Sequence, residues 1–241
     1  MDATDGFGTR LAAVRTRIRA ACERAGRDPA TVRLIGVSKT RTVDEIVTAI
    51  RAGLVDLGEN YAQEAVAKAR AVAEAGLAPR WHFLGGLQTN KVRTLVPFVA
   101  GIQSIDRPSL VAELARRADP DHPIEAYIEV NVGDESQKAG CAPSDAADLC
   151  RHVLAVPALR LAGLMCVPPV DDDPEAARPH FRFLRTLRDD LRRDLRLADP
   201  TLAGLSMGMS GDFEAAIEEG ATTVRVGTLL FGPRTPRRQE P

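Results

Sequence analysis

The sequence predicts a single (β/α)₈ barrel over residues 1–241, on three observations. Strand-like apolar runs alternate with helix-like segments along the whole chain, which indicates a parallel sheet because parallel strands are joined by crossover helices. Eight such strands can be counted, which favours closure into a barrel. The length of 241 residues also suits a fold that needs about 250 residues. A doubly wound open sheet is the main alternative, but no GxGxxG motif follows the first strand, which argues against its dinucleotide-binding version.

Caps and stop signals set the helix boundaries. Gly26 and Gly76 come where the first and third helical patterns end, as glycine does after many helices. Thr42, with Glu45 three residues later, is a suitable N-cap for the second helix, and Pro108 suits the first turn of the fifth. The predicted helices are 9–25, 43–52, 61–75, 89–98, 108–118, 144–156, 174–197 and 212–219.

The strands are the short apolar runs between these helices. The predicted strands are 32–37, 54–57, 80–84, 101–105, 125–132, 161–167, 204–207 and 223–226. In the fifth strand apolar and polar residues alternate, so if the apolar set faces the helices, the polar set faces the barrel interior: Tyr127, Glu129 and Asn131. Buried polar groups need partners, and a polar ligand would help to supply them.

The composition excludes several classes of function. A net charge of −1 predicts no nucleic-acid partner, and no apolar run reaches membrane-spanning length. The N-terminal stretch 1–8 is polar and acidic, unlike a signal peptide, so a cytoplasmic location is expected. No CxxC spacing occurs, which predicts reduced thiols rather than disulfides or a metal site. The cysteines are Cys22, Cys141, Cys150 and Cys166.

Lys39 and Asn60 follow the first two strands. The working face of a (β/α)₈ barrel is the carboxyl end of its strands. An amine held there would be desolvated, which lowers its pKa and makes it a nucleophile toward an aldehyde. Lys39 is on its own more simply a surface lysine that opens a loop, and Asn60 a helix cap. In the mouth of the barrel, Asn60 would offer its side-chain amide to a ligand.

The segments after the last two strands are typical of a phosphate site. The seventh is followed by a Gly- and Ser-rich loop containing Ser210 and then by a helix, whose first N–H groups are available to an anion. The eighth contains Arg225 among apolar residues and leads to Gly227 and Thr228. An ordinary Gly-rich loop would explain the first segment alone. Both together match the usual phosphate-binding position of this barrel.

A lysine amine, a phosphate cradle and a buried arginine together indicate pyridoxal 5′-phosphate. This cofactor has an aldehyde for the lysine, a phosphate for the cradle and a ring nitrogen that takes an Asp or Arg partner. An arginine at that position would leave the nitrogen unprotonated and weaken the ring as an electron sink. The sequence therefore predicts modest carbanion chemistry at best.

The chain resembles the pyridoxal-phosphate homeostasis protein family, also called the YggS or PROSC family. Segments in the family's order, over nearly the whole chain, carry the resemblance: Ile35-Gly36-Val37-Ser38-Lys39-Thr40, Gly58-Glu59-Asn60-Tyr61, Trp81-His82-Phe83-Leu84-Gly85, Leu87-Gln88-Thr89-Asn90-Lys91, Gly163-Leu164-Met165, Leu205-Ser206-Met207-Gly208-Met209-Ser210, Val224-Arg225-Val226-Gly227-Thr228 and Phe231-Gly232.

The resemblance implies a fold, a function and the role of each site residue. The fold is that of the alanine racemase N-terminal barrel, and the function is storage, delivery and regulation of pyridoxal phosphate without robust catalysis. Lys39 would carry the cofactor as a Schiff base, and Asn60 would line the pocket beside the ring. Arg225 would face the ring nitrogen. The phosphate would be held by Ser210, Gly227 and Thr228.

Departures from the family pattern concern other positions. Gly86 stands where many members have a larger residue, and Arg41 replaces a common lysine. Gln137 is inserted in the 133–138 loop. These differences put in doubt a secondary or transfer site built from surface lysines such as Lys138. His82 is either directed at the cofactor or a satisfied interior histidine.

Two enzyme classes are the alternatives. A weak amino-acid racemase needs a base on each face of the substrate, and alanine racemases take the second, a tyrosine, from an additional domain for which residues 233–241 leave no room. Of the two tyrosines, Tyr127 is too early in its strand to reach the mouth, which leaves Tyr61. An aldolase-like Schiff-base enzyme is disfavoured by Arg225. Apo-enzymes that need the cofactor are possible partners, and a monomer is expected.

Overall fold

The computed structural model describes residues 3–133, 139–169, 171 and 173–233. Within them eight parallel strands form a closed barrel in chain order, with the first strand paired to the eighth. The predicted (β/α)₈ fold is thus confirmed, while the one-domain organisation over 1–241 stays a prediction. The strands are β1 (Arg33–Val37), β2 (Asp56–Glu59), β3 (Arg80–Phe83), β4 (Val99–Ile105), β5 (Ile124–Glu129), β6 (Leu159–Met165), β7 (Gly204–Ser206) and β8 (Thr223–Val226).

Helices surround this barrel. They are α1 (Ala3–Arg24), α2 (Val43–Arg51), α3 (Ala62–Glu74), α4 (Val92–Leu95), α5 (Pro108–Arg117), α6 (Ala146–Leu154), α7 (Arg178–Asp194), α8 (Phe213–Glu218) and α9 (Thr228–Phe231). The first packs beside α2, α8 and α9. Its buried face repeats every three or four residues, at Phe7, Leu11, Val14 and Ile18, which is the spacing of an amphipathic helix.

Local sequence signals account for most boundaries. Thr42 accepts a hydrogen bond from the Glu45 N–H while the Glu45 carboxylate accepts one from the Thr42 N–H, which confirms the predicted capping box. Pro108 occupies the first turn of α5 as predicted. The predicted helix over 89–98 is instead a 3₁₀ turn followed by one α-helical turn, because Pro97 cannot continue a helix.

Two strand predictions were displaced by turns. β2 begins two residues later than predicted, because Gly53 adopts φ +93° and the Leu54 N–H is bonded back to Ala49 of α2. β5 ends at Glu129 rather than at residue 132, because the chain returns at Cys141, whose N–H donates to the Glu129 carbonyl. Both shifts leave the order of the strands unchanged.

The hydrophobic core lies between the strands and the helices, whereas the barrel interior is polar. Tyr127 reaches across the interior, its ring lying where a side chain on Gly204 would stand, and Glu129, two residues along β5, shares its face. Both interior predictions are confirmed; Asn131 lies beyond the end of the strand. Ile128 belongs to the apolar layer outside the barrel.

Ion pairs fill the amino-terminal end of the barrel. Arg33 donates to Glu125 at 2.5 Å and Arg160 donates to the same carboxylate at 2.7 Å. Asp56 accepts from Arg80 at 2.7 Å and lies 2.7 Å from His82 Nε2. His82 is therefore an interior histidine at the end of the barrel opposite to the predicted site. Its Nε2 is paired with Asp56, whereas its buried Nδ1 has no hydrogen-bond partner among the described residues.

None of the helices in the described part of the chain combines the length and the apolar character that crossing a bilayer requires. The four cysteines are buried and unbridged.

Candidate functional site

A cavity of about 330 Å³ opens at the carboxyl end of the barrel strands. Its volume is in the range of small-molecule sites. All six residues predicted from the sequence line it: Lys39, Asn60, Ser210, Arg225, Gly227 and Thr228. The apolar part of the wall comes from Val37, Leu84, Met165, Val167 and Met209. Met209 thus belongs to the cavity wall.

A larger cavity, of about 760 Å³, lies at the amino-terminal end of the barrel. It includes Arg33, Arg80 and Tyr127, and the two arginines are already paired with carboxylates. In (β/α)₈ barrels the chemistry takes place at the carboxyl end of the strands. The smaller cavity is therefore the candidate functional site, and Tyr127 lies away from it, as its early position in the strand predicts.

Lys39 stands two residues after the end of β1, between a buried residue and a constrained one. The Ser38 side chain is fully buried and donates from Oγ to Glu59 Oε1 at 2.6 Å. Thr40 has φ +65°, a conformation that β-branched residues seldom adopt. Lys39 itself is half-buried and contributes to the cavity wall. Lys39 therefore borders the cavity from a loop whose backbone is constrained on both sides.

Arg225 forms the floor of the cavity from β8. Its Nη1 donates to Ser206 Oγ at 2.7 Å and its Nη2 donates to the Cys166 carbonyl at 2.8 Å. Only 5% of the residue is exposed, and burial lowers the pKa of the guanidinium. Within the described residues no carboxylate lies within ion-pair distance of this group. A buried cation without a counter-ion favours a ligand that accepts hydrogen bonds.

Ser206 extends the polar floor toward the middle of the barrel. Its hydroxyl donates to Gln103 Oε1 at 2.7 Å while accepting from Arg225. Ser206 and Gln103 are both fully buried, so the guanidinium is held in one orientation by a chain of hydrogen bonds. The Cys166 thiol beside it is not a nucleophile, because burial raises its pKa to about 12.

The loop between β7 and α8 brings Ser210 to the cavity. Gly208 has φ +92° in this loop, and a Cβ there would lie 2.6 Å from the Ala216 Cβ, so only glycine fits. The Met209 N–H donates to Asp212 Oδ1 at 2.6 Å, which fixes the turn. Within the described part of the chain, the N–H groups of Ser210 and Gly211 have no hydrogen-bond acceptor. Both are therefore available to a ligand that accepts hydrogen bonds.

Gly227 and Thr228 complete the rim after β8. Thr228 is the first residue of α9 and is exposed. Its N–H lies in the first helical turn, where no intrahelical carbonyl is available. Sequence reasoning did not predict α9, because only four residues separate Gly227 from Gly232 and no periodicity can be read from so short a run.

Asn60 lines the cavity from the loop after β2, whose backbone packs closely against the loop after β3. A Cβ on Gly85 would lie 2.2 Å from the Asn60 carbonyl oxygen, so the loops after β2 and β3 touch only because residue 85 is glycine. Leu84 then lies beside Asn60 in the cavity wall.

Glu129 is a buried carboxyl group on the same interior face as Tyr127. It is 6% exposed. Its pKa is raised to about 7, chiefly by burial and further by the charge of Asp106, against the lowering effect of Arg225. Near neutral pH the barrel interior therefore contains a carboxyl group that is partly protonated.

A buried cluster of charges behind Lys39 was missed by the sequence reasoning. The Lys68 ammonium donates to Glu59 Oε1 at 2.8 Å, to Glu64 Oε2 at 3.1 Å and to the Ser38 carbonyl at 2.8 Å. Burial raises the pKa of Glu59, against the lowering effects of Lys68 and Ser38. The only signal in the sequence was the i, i+4 spacing of Glu64 and Lys68, which is equally typical of an exposed helix face.

Other residues singled out in the sequence lie outside the cavity. Tyr61 is 56% exposed and does not line it. Gly86 is exposed, and Arg41 donates to the carbonyl groups of Gly232 and Pro233. Gln137 and Lys138 lie outside the described residues.

The family comparisons agree with the fold. Residues 9–235 match the model of the alanine racemase N-terminal domain. The pyridoxal phosphate homeostasis protein of Aquifex aeolicus is 47% identical over 226 residues, which cover 93% of this chain and 97% of the relative. The structure of PipY from Synechococcus elongatus PCC7942 with pyridoxal phosphate bound is 32% identical, with a TM-score of 0.80, and covers 94% of this chain and 100% of PipY.

More distant structures share the fold alone. Alanine racemase from Corynebacterium glutamicum is 14% identical, with a TM-score of 0.68, over 95% of this chain and 64% of the racemase.

The chain is thus a barrel of the alanine racemase N-terminal class with a candidate small-molecule site at the carboxyl end of its strands. Within that class it belongs to the pyridoxal phosphate homeostasis protein family, which confirms the resemblance inferred from the sequence motifs.

Proposed function

We propose that this protein binds pyridoxal 5′-phosphate in the 330 Å³ cavity, as a Schiff base on Lys39, and stores and delivers the cofactor. The observation that supports the proposal is the convergence of six residues, from the carboxyl ends of four strands, on one cavity. An aldehyde, a phosphate and a ring nitrogen need three different partners. The aldehyde would be met by Lys39, the phosphate by the rim residues Ser210 and Thr228, and the ring nitrogen by Arg225.

The phosphate-binding role rests on the rim opposite Asn60. The Ser210 and Gly211 N–H groups, the Ser210 hydroxyl and the first turn of α9 at Thr228 are donors gathered at one edge of the cavity. Together they can satisfy several oxygens of a phosphate. Gly227 keeps this edge open because it has no side chain.

Arg225 is assigned to the ring nitrogen. It is held by Ser206 and the Cys166 carbonyl, and as a permanent cation it donates hydrogen bonds and accepts none. Its partner nitrogen must therefore be the acceptor, which means that it is unprotonated. When bound, the cofactor supplies an electrophilic imine and an electron-withdrawing ring, and this contact limits the ring's capacity to stabilise a carbanion.

A carrier fits this site better than a racemase. Racemisation needs a base on each face of the substrate, and among the described residues lining the cavity no tyrosine stands opposite Lys39. We therefore propose a monomeric cytoplasmic carrier, with apo-enzymes that require pyridoxal phosphate as acceptors. Sedimentation of the purified protein with and without such an apo-enzyme tests the monomer and the acceptor together.

Absorbance spectroscopy tests the central proposal. Wild-type protein mixed with pyridoxal phosphate is expected to show an imine band that borohydride bleaches, and reduction should leave the cofactor on the peptide that contains Lys39. Lys39→Ala is expected to show neither. Lys91→Ala, which removes a lysine that does not line the cavity, is the matched control and should behave as wild type.

A wild-type protein that gives no imine band with added pyridoxal phosphate would contradict the proposal. Labelling of another lysine, with Lys39→Ala unaffected, would contradict the assignment of the Schiff base.

A further inference from the structure

A charged cluster on the outer side of the barrel wall contacts the backbone on both sides of Lys39. Glu59 is the last residue of β2, and Glu64 and Lys68 lie one turn apart on α3. The side chains of Glu59, Glu64 and Lys68 are 1%, 21% and 8% exposed. None of them lines the cavity, so their effect on a ligand must be transmitted through the loop they contact.

The ammonium group of Lys68 is completely used within this cluster. An ammonium has three donors, and Lys68 directs them at Glu59, at Glu64 and at the carbonyl of Ser38. Ser38 is also held through its hydroxyl, which donates to Glu59 Oε1 at 2.6 Å. The residue before Lys39 is therefore fixed by both its backbone and its side chain.

The residue after Lys39 is held by the same cluster. The Thr40 N–H donates to Glu64 Oε2 at 3.0 Å, and Thr40 has φ +65°. A left-handed conformation at a β-branched residue is strained and persists only where the surroundings impose it. Glu64 supplies that constraint, because one of its oxygens accepts from both Thr40 and Lys68.

We propose that Glu59, Glu64 and Lys68 are positioning residues that set the direction in which Lys39 enters the cavity. This inference rests on the proposed Schiff base. A lysine on a long flexible stem loses much rotamer freedom when it is fixed, so a backbone that is already oriented lowers the entropy cost of capturing an aldehyde. The three residues act on the lysine without touching the ligand.

Glu64→Ala is the test variant, because it releases Thr40 while Lys68 keeps Glu59 as its partner. Glu74→Ala is the matched control: Glu74 lies on the same helix, pairs with exposed Arg70 at 2.9 Å and does not contact the loop. Amide exchange of Thr40 in the protein without ligand is measured by NMR, and pyridoxal phosphate affinity by imine absorbance. In Glu64→Ala, Thr40 exchange should be at least about 10-fold faster, as loss of one hydrogen bond to a charged group implies. Affinity should be lower by a smaller factor, about 5-fold, because Glu64 acts on Lys39 only through the loop. Glu74→Ala should match wild type in both, and Glu64→Gln, whose amide oxygen can still accept from Thr40, should recover part of each loss.

The outcomes separate this inference from the proposed function. Wild-type affinity in Glu64→Ala, with or without faster Thr40 exchange, would overturn the positioning role while leaving the Schiff base intact. Equal losses in Glu64→Ala and Glu74→Ala would also overturn it, by assigning the effect to the helix. A wild-type protein that forms no imine would instead refute the proposed function, and the role of the cluster with it.

Discussion

Arg225 shows how one side chain can set the chemistry of a site through hydrogen bonds alone. Two of its donors are committed to Ser206 and to the Cys166 carbonyl, and the guanidinium also borders the cavity. Its charge is fixed in place before any ligand arrives. A group held in this way contributes to binding without a further cost of ordering.

The first prediction at the residue scale concerns this arginine. Arg225→Gln should weaken pyridoxal phosphate binding by about 10- to 100-fold, because a hydrogen bond from a charged donor contributes about 1.5–3 kcal/mol. Binding is measured by titration of the imine absorbance. Arg160→Gln is the control, since Arg160 pairs with Glu125 at the opposite end of the barrel and should leave binding unchanged. Equal effects of the two substitutions would contradict the assignment.

Glu129 leads to a prediction about pH. Its pKa in the folded protein, about 7, lies above the value of about 4.3 expected when unfolded. The folded state therefore binds more protons between these values, and the contribution of Glu129 to stability falls as pH rises from about 4.5 to 7. Urea unfolding should show that Glu129→Gln gains stability relative to wild type between pH 5 and pH 8, by an amount of the order of 1–3 kcal/mol.

Glu125 in the same strand provides a control of opposite sign. Burial would raise its pKa, but the hydrogen bond and charge of Arg33 outweigh burial, so that its pKa is lowered. Glu125 then contributes its full stabilisation at any pH above its pKa in the unfolded protein. This contribution is lost only as pH falls through its lower pKa in the folded protein. Glu125→Gln should therefore be less stable than wild type by the same amount at pH 5 and at pH 8. A Glu129→Gln difference that stays constant over this range would contradict the raised pKa.

At the scale of elements, the connection from β7 to α8 depends on one glycine. Gly208→Ala places a methyl group 2.6 Å from the Ala216 Cβ and 2.9 Å from the Phe213 Cα, at φ +92°. The expected loss of stability is about 1–3 kcal/mol, with weaker binding because Ser210 moves with the loop. Denaturant unfolding and imine titration measure the two effects.

Gly211→Ala is the matched substitution in the same loop. A Cβ at Gly211 meets no atom within 4 Å, and its φ is outside the left-handed region. Stability should stay within about 0.5 kcal/mol of wild type. A comparable loss in both variants would mean that the loop tolerates no added side chain, whatever its backbone angle.

The barrel as a whole was largely predictable from the sequence, because alternation of apolar runs and caps reports directly on parallel strands and crossover helices. Site residues such as Lys39 and Arg225 were predictable for the same reason: strand ends meet at one face. The cluster around Lys68 was not, since its partners come from β2, α3 and the loop after β1, and its burial depends on packing. The start of β2 was missed because the residues before it, from Gly53, form a turn that composition does not distinguish from a strand.

Ligand linkage provides a prediction for the whole molecule. A ligand that binds only the folded state at 100 times its dissociation constant adds about 2.7 kcal/mol to the free energy of unfolding. Pyridoxal phosphate at that concentration should stabilise wild type by this amount in urea unfolding. Lys39→Ala at the same concentration should gain much less. Equal stabilisation of both would assign the binding to a site other than the cavity at Lys39.

The polar floor of the cavity determines by which end of the barrel a ligand can enter and leave. Gln103, Ser206 and Arg225 are each at most 5% exposed, and they close the barrel between its two ends, so its interior is a plug and not a passage. In the part of the chain that the structure describes, a ligand of this cavity would enter and leave through the opening rimmed by Lys39, Asn60, Ser210 and Thr228. An acceptor protein that docked over this opening would receive the bound cofactor directly. Any other protein bound there would prevent its release.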